Sequence, residues 1–408
     1  MKVIQGGVCA ASGFTAGAVH SGIRKARDRD DLALIVSSSP CQAAAVYTRN
    51  QVKADPLQVT RDHLSDHTAR AVIVNSGNAN ACAMNGHANA VRQCEAAARY
   101  LGVDVDDMLV ASTGVIGQEL PIACIEQAVD QIALSADNDV RCARAIMTTD
   151  TKEKMAAMSF EIGGVTCHLG GIAKGSGMIH PNMGTMLAFI TTDCAVSAQL
   201  LQKLLYRNTQ VTFNRVSVDG DTSTNDMCIV LANGQAGNAM LEDEDEQSAV
   251  FEEALHAVME DLAKKILTEH DVTIAITMGE GDGTCTVTNA ADEQTAETLA
   301  MSICSSSLVK AAMFGADANW GRVLCAMGYS GAKFDPQAVS VTFASAAGEI
   351  VVCENGKGLL FDEDLAKTIL SEDHVEIRAD VHQGNAQATC WGCDLTYDYV
   401  KINGDYRT

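Results

Sequence analysis

The sequence has few basic residues. It contains 29 Lys and Arg against 52 Asp and Glu, which gives a net charge of −23 and an isoelectric point near 4.7. A chain of this charge repels phosphate backbones and anionic lipid surfaces. We therefore expect neither nucleic acid nor a membrane as a partner.

Long apolar runs are also missing. No stretch approaches the roughly 20 residues of a membrane-spanning helix, and the chain does not open with a basic segment followed by a long apolar one, as a signal peptide would. The 15 cysteines are spread over 408 residues, unlike those of small secreted domains held by disulfides. We expect a protein of the reduced cytoplasm whose cysteines are small core residues.

Two common cofactor motifs are absent. No Gly-x-Gly-x-x-Gly follows a first strand, and no His-Glu-x-x-His occurs among the ten histidines. The sequence therefore argues against a dinucleotide-binding fold and gives no indication of a metal site.

Short apolar runs alternate with helical patterns along the chain, which favours a layered α/β or α+β fold. At 408 residues with 47% apolar content, the chain exceeds the size of a single hydrophobic core, so we expect two domains. We place the boundary after residue 283, with a larger domain over 1–283 and a smaller one over 284–408. The expected strands cover 32–38, 43–48, 69–75, 108–112, 155–162, 165–172, 185–191, 227–231, 272–277, 339–343, 375–379 and 387–397. The expected helices cover 88–101, 122–134, 197–206, 247–267, 290–314 and 319–327.

One segment joins a glycine-rich polar turn directly to an apolar strand. It runs from Lys174 to Thr192, and Thr185 lies at the junction. Gly184 lacks the Cβ that would shield its own carbonyl from a neighbouring hydroxyl. The segment could present a threonine nucleophile, although Gly and Pro are also typical of an ordinary loop that enters a core strand.

This segment resembles the self-cleavage site of the ornithine acetyltransferases, the bifunctional glutamate N-acetyltransferases of arginine biosynthesis. The family pattern is Lys-Gly-Ser-Gly-Met-Ile, two or three residues, and then Asn-Met-Ala-Thr-Met-Leu. Further motifs of the family follow in the same order and make the resemblance nearly full length. They are Val74-Asn75-Ser76-Gly77-Asn78-Ala79-Asn80-Ala81, Ala111-Ser112-Thr113-Gly114-Val115-Ile116-Gly117, Ile146-Met147-Thr148-Thr149-Asp150-Thr151, Val218-Asp219-Gly220-Asp221-Thr222-Ser223-Thr224-Asn225-Asp226, Asn319-Trp320-Gly321-Arg322 and Tyr399-Val400-Lys401-Ile402-Asn403-Gly404-Asp405-Tyr406-Arg407-Thr408.

The resemblance implies an αββα sandwich of the N-terminal-nucleophile type with a smaller C-terminal α/β domain. It also implies that the precursor cleaves itself between Gly184 and Thr185. Cleavage would give an α chain of residues 1–184 and a β chain of residues 185–408, and two of each would form a heterotetramer.

The same resemblance implies a ping-pong acetyl transfer. N2-acetylornithine would acetylate Thr185, ornithine would leave, and glutamate would take the acetyl group. The new α-amine of Thr185, whose reference pKa is about 7.7 to 8.0, would serve as general base near neutral pH. The Thr113 hydroxyl and the Gly114 amide would stabilise the oxyanion.

The substrate pocket implied by the resemblance contains Thr151, Lys174, Glu280, Asn403 and Thr408, besides Thr185 itself. Lys174 would contact a substrate carboxylate, and Glu280 would face the cationic side chain of ornithine. No coenzyme is required, although the use of acetyl-CoA as a second acetyl donor stays open.

The chain departs from the family pattern at three places. Gly184 replaces the commoner alanine, Asp282-Gly283-Thr284-Cys285 replaces a segment that usually carries a lysine, and residues 304–310 differ from the usual Asn-Ser-Pro-Leu-Val-Lys. These changes leave the acceptor range open more than they affect the nucleophile.

Other interpretations are weaker. Cys390-Trp391-Gly392-Cys393 has the spacing of a redox pair but lies late in the chain, and Ser307-Leu308-Val309-Lys310 lacks the motifs that accompany S-x-x-K in serine acyl-enzymes. Two alternatives to the transferase stay open: a related self-cleaving aminopeptidase or amidase, and an uncleaved amino-acid-binding paralogue.

Overall fold

The computed structural model describes residues 1–25, 29–178, 186–267, 273–276 and 285–404, and the side chains within these ranges except those of 273–276, 285, 398 and 402–404. Within these ranges the chain is a mixed α/β protein with two β-sheets.

The first sheet has the strand order β1-β6-β7-β8-β10-β3-β4-β5, and β2 also pairs with β3. Its strands are β1 (Lys2–Val3), β2 (Phe14–Val19), β3 (Leu32–Tyr47), β4 (Thr68–Asn75), β5 (Met108–Ser112), β6 (Lys154–Ile162), β7 (Val165–Lys174), β8 (Leu187–Thr192) and β10 (Met227–Ala232).

The second sheet has the order β11-β17-β12-β16-β13-β14-β15, with β9 paired to β17. Its strands are β9 (Val216–Ser217), β11 (Thr273–Ile276), β12 (Cys285–Ala290), β13 (Ser340–Ser345), β14 (Gly348–Glu354), β15 (Lys357–Gly358), β16 (His374–Asp380) and β17 (Ala386–Gly392). The sheet thus takes strands from both sides of residue 283, and the domain boundary at that residue stays a prediction.

The helices cover the faces of these sheets. They are α1 (Asp55–His63), α2 (Gly86–Leu101), α3 (Ile122–Ala128), α4 (Asp139–Ala145), α5 (Ala198–Val211), α6 (Glu246–Leu267), α7 (Glu293–Ser305), α8 (Ser307–Phe314), α9 (Trp320–Gly328), α10 (Glu363–Leu370) and α11 (Tyr397–Gly404). Among these described helices, none combines the length and the apolarity that crossing a bilayer requires.

Strand β3 runs through both halves of the first sheet. Its first part, from Leu32, pairs with β2 and β4, whereas its last part, ending at Tyr47, pairs with β10. The register with β4 shifts between Val36 and Cys41, next to Pro40, which cannot donate to a ladder. Two separate strands were expected here, and the structure joins them into one.

The two halves of the first sheet pack face to face, and helices cover the outer face of each half, which gives the αββα layers. Along β8, Ile190 packs with α5 and α6, whereas Phe189 on the opposite face shares a cluster with Val72 of β4 and Leu109 of β5. On the far side of β4 and β5, a third cluster packs against α2 and α3. The order of layers is therefore α5 and α6, the β8 half of the sheet, the β4 half, and then α2 and α3.

The second sheet has its own core. Val287, Phe343 and Ile377 pack there against α7, α8, α9 and α10. The expected single helix over 290–314 is two helices, because Ser306 ends α7 and its side chain caps the N-terminus of α8 by accepting from the Val309 amide.

Candidate active site

A cavity of about 370 Å³ opens where strands of the first sheet end. It is placed by the turn after β5, the end of β7, the turn that follows it and the loop before β10. Its lining residues are Thr113, Gly114, Val115, Ile116, Thr148, Thr149, Lys174, Gly177, Met178, Asp219, Asp221, Ser223, Thr224, Asn225 and Tyr399.

The Thr113–Gly114 turn is held by backbone contacts to the loop after β4. The Thr113 amide donates to the Asn75 carbonyl at 3.0 Å, and the Val115 amide donates to the Gly77 carbonyl at 3.3 Å. Gly114 has a φ of +139°, and a Cβ there would lie 2.3 Å from the Asn78 nitrogen. Only glycine fits this position, and among the described residues none accepts a hydrogen bond from the Gly114 amide.

Lys174, the last residue of β7, reaches the same turn. Its Nζ donates to Thr113 Oγ1 at 3.1 Å, and both side chains are buried. An ammonium group has donors only, so the Thr113 oxygen accepts and its own hydrogen can be donated to a ligand. The Gly114 amide and the Thr113 hydroxyl together can supply two donors to one oxygen in the cavity.

A buried carboxylate orders the segment beneath Lys174. Asp150 Oδ1 accepts from Lys154 Nζ at 2.7 Å and from the Gly175 amide at 2.6 Å, while Oδ2 accepts from the Thr148 amide at 3.0 Å. Desolvation alone would raise the pKa of Asp150, but the charges of Lys154 and Lys174 and the hydrogen bonds from Lys154 and Gly175 outweigh it and lower the pKa to about 2. Asp150 is therefore ionised and fixes the start of the glycine-rich turn.

The carboxyl group of Asp219 joins the glycine-rich turn after β7 to helix α11. Asp219 Oδ2 accepts from the Met178 amide at 2.5 Å and from Tyr399 Oη at 2.6 Å. Burial, and then the hydrogen bond to Asp219 and its charge, raise the pKa of Tyr399, so the phenol stays protonated and donates. Helix α11 thereby lies against the cavity.

Asn225 holds the loop before β10, which lines the cavity, in place. Its Nδ2 donates to the Ala79 carbonyl at 2.7 Å and to the Ser112 carbonyl at 2.8 Å, and its Oδ1 accepts from Thr224 Oγ1 at 2.6 Å. The loop before β10 is therefore tied directly to the residue that precedes Thr113.

The structure brings together part of the predicted site. Thr113, Gly114 and Lys174 line the cavity, whereas Thr151 is exposed and is not among the lining residues; Thr148 and Thr149 line the cavity instead. Gly184, Thr185, Glu280 and Thr408 lie outside the described residues, as does the side chain of Asn403, so their predicted roles stay predictions.

Several lining residues were not given a role from the sequence. Asp219, Asp221, Asn225 and Tyr399 all lie in motifs that carry the family resemblance. A useful signal was present, because the polar run over 219–226 ends directly at the buried strand β10, and polar groups at strand ends often form sites.

The two residues of each weaker motif lie in different surroundings. Cys390, on β17, packs in the core of the second sheet, whereas Cys393, one residue beyond the end of β17, packs in the core around α5 and α6. Ser307 is exposed, whereas Lys310 is buried and donates to the Cys393 carbonyl. Over the described part of the chain, no group of three or more His, Cys, Asp and Glu could hold a metal ion.

Residues 15–408 match the model of the ArgJ family. The chain is 48% identical over 400 residues to the arginine biosynthesis bifunctional protein ArgJ of Thermotoga neapolitana, covering 97% of this chain and 99% of the relative. It is 46% identical over 412 residues to the ArgJ protein of Symbiobacterium thermophilum, with full coverage of both chains. A crystal structure of ornithine acetyltransferase from Mycobacterium tuberculosis, complexed with ornithine, is 35% identical and covers 44% of this chain and 98% of its own, with a TM-score of 0.41.

Proposed function

Because the chain belongs to the ArgJ family of acyltransferases of arginine biosynthesis, we propose that it transfers the acetyl group of N2-acetylornithine to glutamate through an acetyl-Thr185 intermediate. The observation that carries this proposal is the hydrogen bond from Lys174 to Thr113 in the cavity at the end of β7. Because Thr113 Oγ1 accepts this bond, its hydroxyl hydrogen is available to an acyl oxygen, as is the neighbouring Gly114 amide.

The nucleophile forms by self-cleavage. The Thr185 hydroxyl attacks the Gly184 carbonyl, the peptide becomes an ester, and water hydrolyses the ester to give a Gly184 carboxylate and a Thr185 α-amine. This amine then takes the proton of its own hydroxyl as Oγ1 attacks the acetyl carbonyl. The bond between the acetyl carbon and the ornithine nitrogen breaks, and ornithine leaves with the proton. In the second half-reaction the amine of glutamate attacks the acetyl carbonyl, the ester bond to Thr185 Oγ1 breaks, and acetylglutamate leaves as Oγ1 regains its proton.

The donors of the Thr113–Gly114 turn suit the tetrahedral intermediate. The glycine fixes its amide by its φ of +139°, and Lys174 orients the Thr113 hydroxyl by donating to it. Donors held before the reaction need no reorganisation when negative charge develops on the acyl oxygen. The turn is therefore suited to the oxyanion in both half-reactions.

The charges of the cavity suit an amino-acid substrate. Lys174 supplies a cation for a carboxylate, while Asp219 and Asp221 supply negative charge near the other wall. Glu280, Asn403 and Thr408 complete the pocket in this proposal. Acetyl-CoA is a further acetyl donor to be tested, and no other coenzyme is needed.

We further propose a cytoplasmic assembly of two α chains (1–184) and two β chains (185–408). The contact between β7 and β8 supports the pairing of fragments, since these neighbouring strands would belong to different fragments after cleavage.

Denaturing electrophoresis and an acetyl-transfer assay test this function. Purified wild-type protein should give fragments of residues 1–184 and 185–408, with mass spectrometry placing the cut before Thr185. Acetylglutamate should form from acetylornithine and glutamate. Thr185→Ala should stay whole and inactive, with Thr191→Ala, in the core of β8, as the control that should still be cleaved. A cleaved or active Thr185→Ala protein would overturn the proposal.

The same assay separates the alternatives. A self-cleaving amidase would release ornithine from acetylornithine at the same rate without glutamate, because water would accept the acetyl group. A binding paralogue would give one uncleaved band and no acetyl transfer. Assays with acetyl-CoA in place of acetylornithine show whether both donors are used.

A further inference from the structure

Two adjacent residues before β10 contact the strand end that precedes the Thr113–Gly114 turn and the residue that precedes β8. Asn225 holds the Ser112 carbonyl, one residue before the Thr113–Gly114 turn. Asp226 Oδ1 accepts the amide hydrogen of Met186 at 2.9 Å. The Met186 nitrogen is the atom bonded covalently to the carbonyl carbon of residue 185. The Asn225-Asp226 pair therefore spans from the donor turn to the main chain next to the proposed nucleophile.

The strand ladders make this link short and rigid. Strands β10 and β8 are parallel, with Met227 opposite Leu187, and the Met227 amide donates to the Met186 carbonyl at 3.2 Å. The Thr48 amide in turn donates to the Asp226 carbonyl at 3.0 Å. The backbone of Asp226 is therefore held at the end of β3 on one side and lies next to β8 on the other. Its side chain in turn holds the Met186 amide in place.

The Asp226 side chain is placed in an unusual environment for a carboxyl group. It is fully buried, and among the described residues none forms a hydrogen bond with its Oδ2. Such an arrangement costs free energy that an apolar residue of similar size would avoid. Packing stability alone therefore does not account for a carboxyl group at this position.

We propose that Asp226 is a positioning residue for self-cleavage and acetyl transfer, which fixes the main chain at residue 186 relative to the donors of the Thr113–Gly114 turn. This inference rests on the proposed function. It assigns Asp226 no contact with the substrate, because the side chain acts through the Met186 amide.

The protonation of Asp226 supports this role. Desolvation by burial raises its pKa well above the ordinary value, and the Met186 amide and the Lys174 charge oppose this rise only in part. A neutral carboxyl group resembles a carboxamide in shape and in its carbonyl acceptor. Asp226→Asn should therefore keep the hydrogen bond to Met186, whereas Asp226→Ala removes it.

The test compares Asp226→Ala and Asp226→Asn with the wild type. For Asp226→Ala we expect the rate of self-cleavage, followed on denaturing gels, to fall about a hundredfold, a loss that a displacement near 1 Å in a catalytic group can cause. The kcat of the cleaved fraction should fall by a similar factor while KM changes by less than about threefold, because substrate contacts remain. Asp226→Asn should stay within about fivefold of the wild type in both rates.

Asp193 provides a matched control at the other end of β8. It is also buried, and its carboxylate accepts hydrogen bonds from the His168 amide at 2.7 Å and the Ser12 amide at 3.0 Å, away from the cavity. Asp193→Ala should lower the melting temperature at least as much as Asp226→Ala, yet it should leave cleavage and kcat within about threefold of the wild type. Where Asp226→Ala is not recovered folded, Asp226→Ser is used, because its shorter side chain should lose the Met186 contact in the same way.

Each outcome decides the role of Asp226. Wild-type rates in folded Asp226→Ala, or equal losses in Asp226→Ala and Asp193→Ala, would overturn the positioning role. Equal losses in Asp226→Asn and Asp226→Ala would also overturn it, since ionisation would then matter more than the hydrogen bond. A wild-type protein that is neither cleaved nor active would instead contradict the proposed function itself.

Discussion

Lys174 Nζ donates to Thr113 Oγ1 across 3.1 Å in the buried wall of the cavity. This contact joins the end of β7 to the turn after β5, although the two residues are 61 positions apart in the chain. It fixes the direction of the Thr113 hydroxyl, and the first prediction follows from it.

Replacement of Thr113 by Val should lower kcat about 10²- to 10³-fold with a small change in KM, the usual result of removing one oxyanion donor. Valine keeps the shape of the side chain but cannot donate. Thr113→Ser keeps the hydroxyl and should stay within about tenfold of the wild type. Steady-state kinetics with acetylornithine and glutamate measure both variants, and an unimpaired Thr113→Val enzyme would exclude the hydroxyl from the oxyanion site.

Gly114→Ala should prevent self-cleavage and lower stability. The new Cβ would lie 2.3 Å from the Asn78 nitrogen at a φ of +139°, so the turn must shift to admit it. Gly117→Ala in the same loop is the control, because its φ of +77° is also positive but nothing lies within 4 Å of its Cβ. That control should lose about 1–3 kcal/mol and still be cleaved. Thermal unfolding and denaturing gels check both variants, and normal cleavage of Gly114→Ala would contradict a fixed turn.

Acid should weaken the protein partly through Asp150. Its pKa is lower in the folded chain, about 2, than the ordinary value of 3.8, so its stabilisation is present above pH 3.8 and is lost as the pH falls towards 2. The free energy of unfolding of the wild type relative to Asp150→Asn should therefore shrink by about 2 kcal/mol between pH 5 and pH 2. Chemical denaturation at several pH values measures this change. Asp243→Asn, in the exposed acidic run before α6, is the control for the loss of an acidic side chain outside the core.

Tyr399→Phe should weaken the attachment of α11 to the cavity. It removes the 2.6 Å hydrogen bond to Asp219 while keeping the ring. Hydrogen bonds to charged groups contribute about 1.5–3 kcal/mol, so we expect KM for both substrates to rise several-fold, cleavage to continue, and proteolysis near α11 to become faster. Tyr397→Phe is the control, because Tyr397 is largely exposed and its ring packs edge-on against Phe314 without needing its hydroxyl. Equal KM values in the two variants would argue against the attachment.

Local patterns predict many of the regular elements, although they miss β2, β14, α1, α4 and α10 and extend the last strand to residue 397, where α11 begins. Strand β5 begins at Met108 and ends at Ser112 as expected, and β6, β7 and α6 lie within two residues of their predicted bounds. Apolar periodicity was sufficient there because each element packs along its whole length. The pattern was misleading at β3, where two short apolar runs are one continuous strand, and at α7 and α8, where one capping serine divides a continuous helical pattern.

The site was predictable only through motifs. The family resemblance indicates Thr113, Gly114 and Lys174, and the structure places all three on one cavity. Asp150, Asn225 and Asp226 also lie in family motifs, but no local pattern distinguishes them from their polar neighbours. Their roles depend on contacts with residues 25 to 146 positions away, which no short window contains.

Strands β7 and β8 flank the proposed cut, and they are also sheet neighbours paired from Leu169 with Thr192 to Lys174 with Leu187. The same cluster of buried side chains packs over both strands. Breaking one peptide bond between them removes a covalent connection but none of these contacts. The fragments 1–184 and 185–408 should therefore elute together in gel filtration and separate only when a denaturant unfolds the sheet that they share.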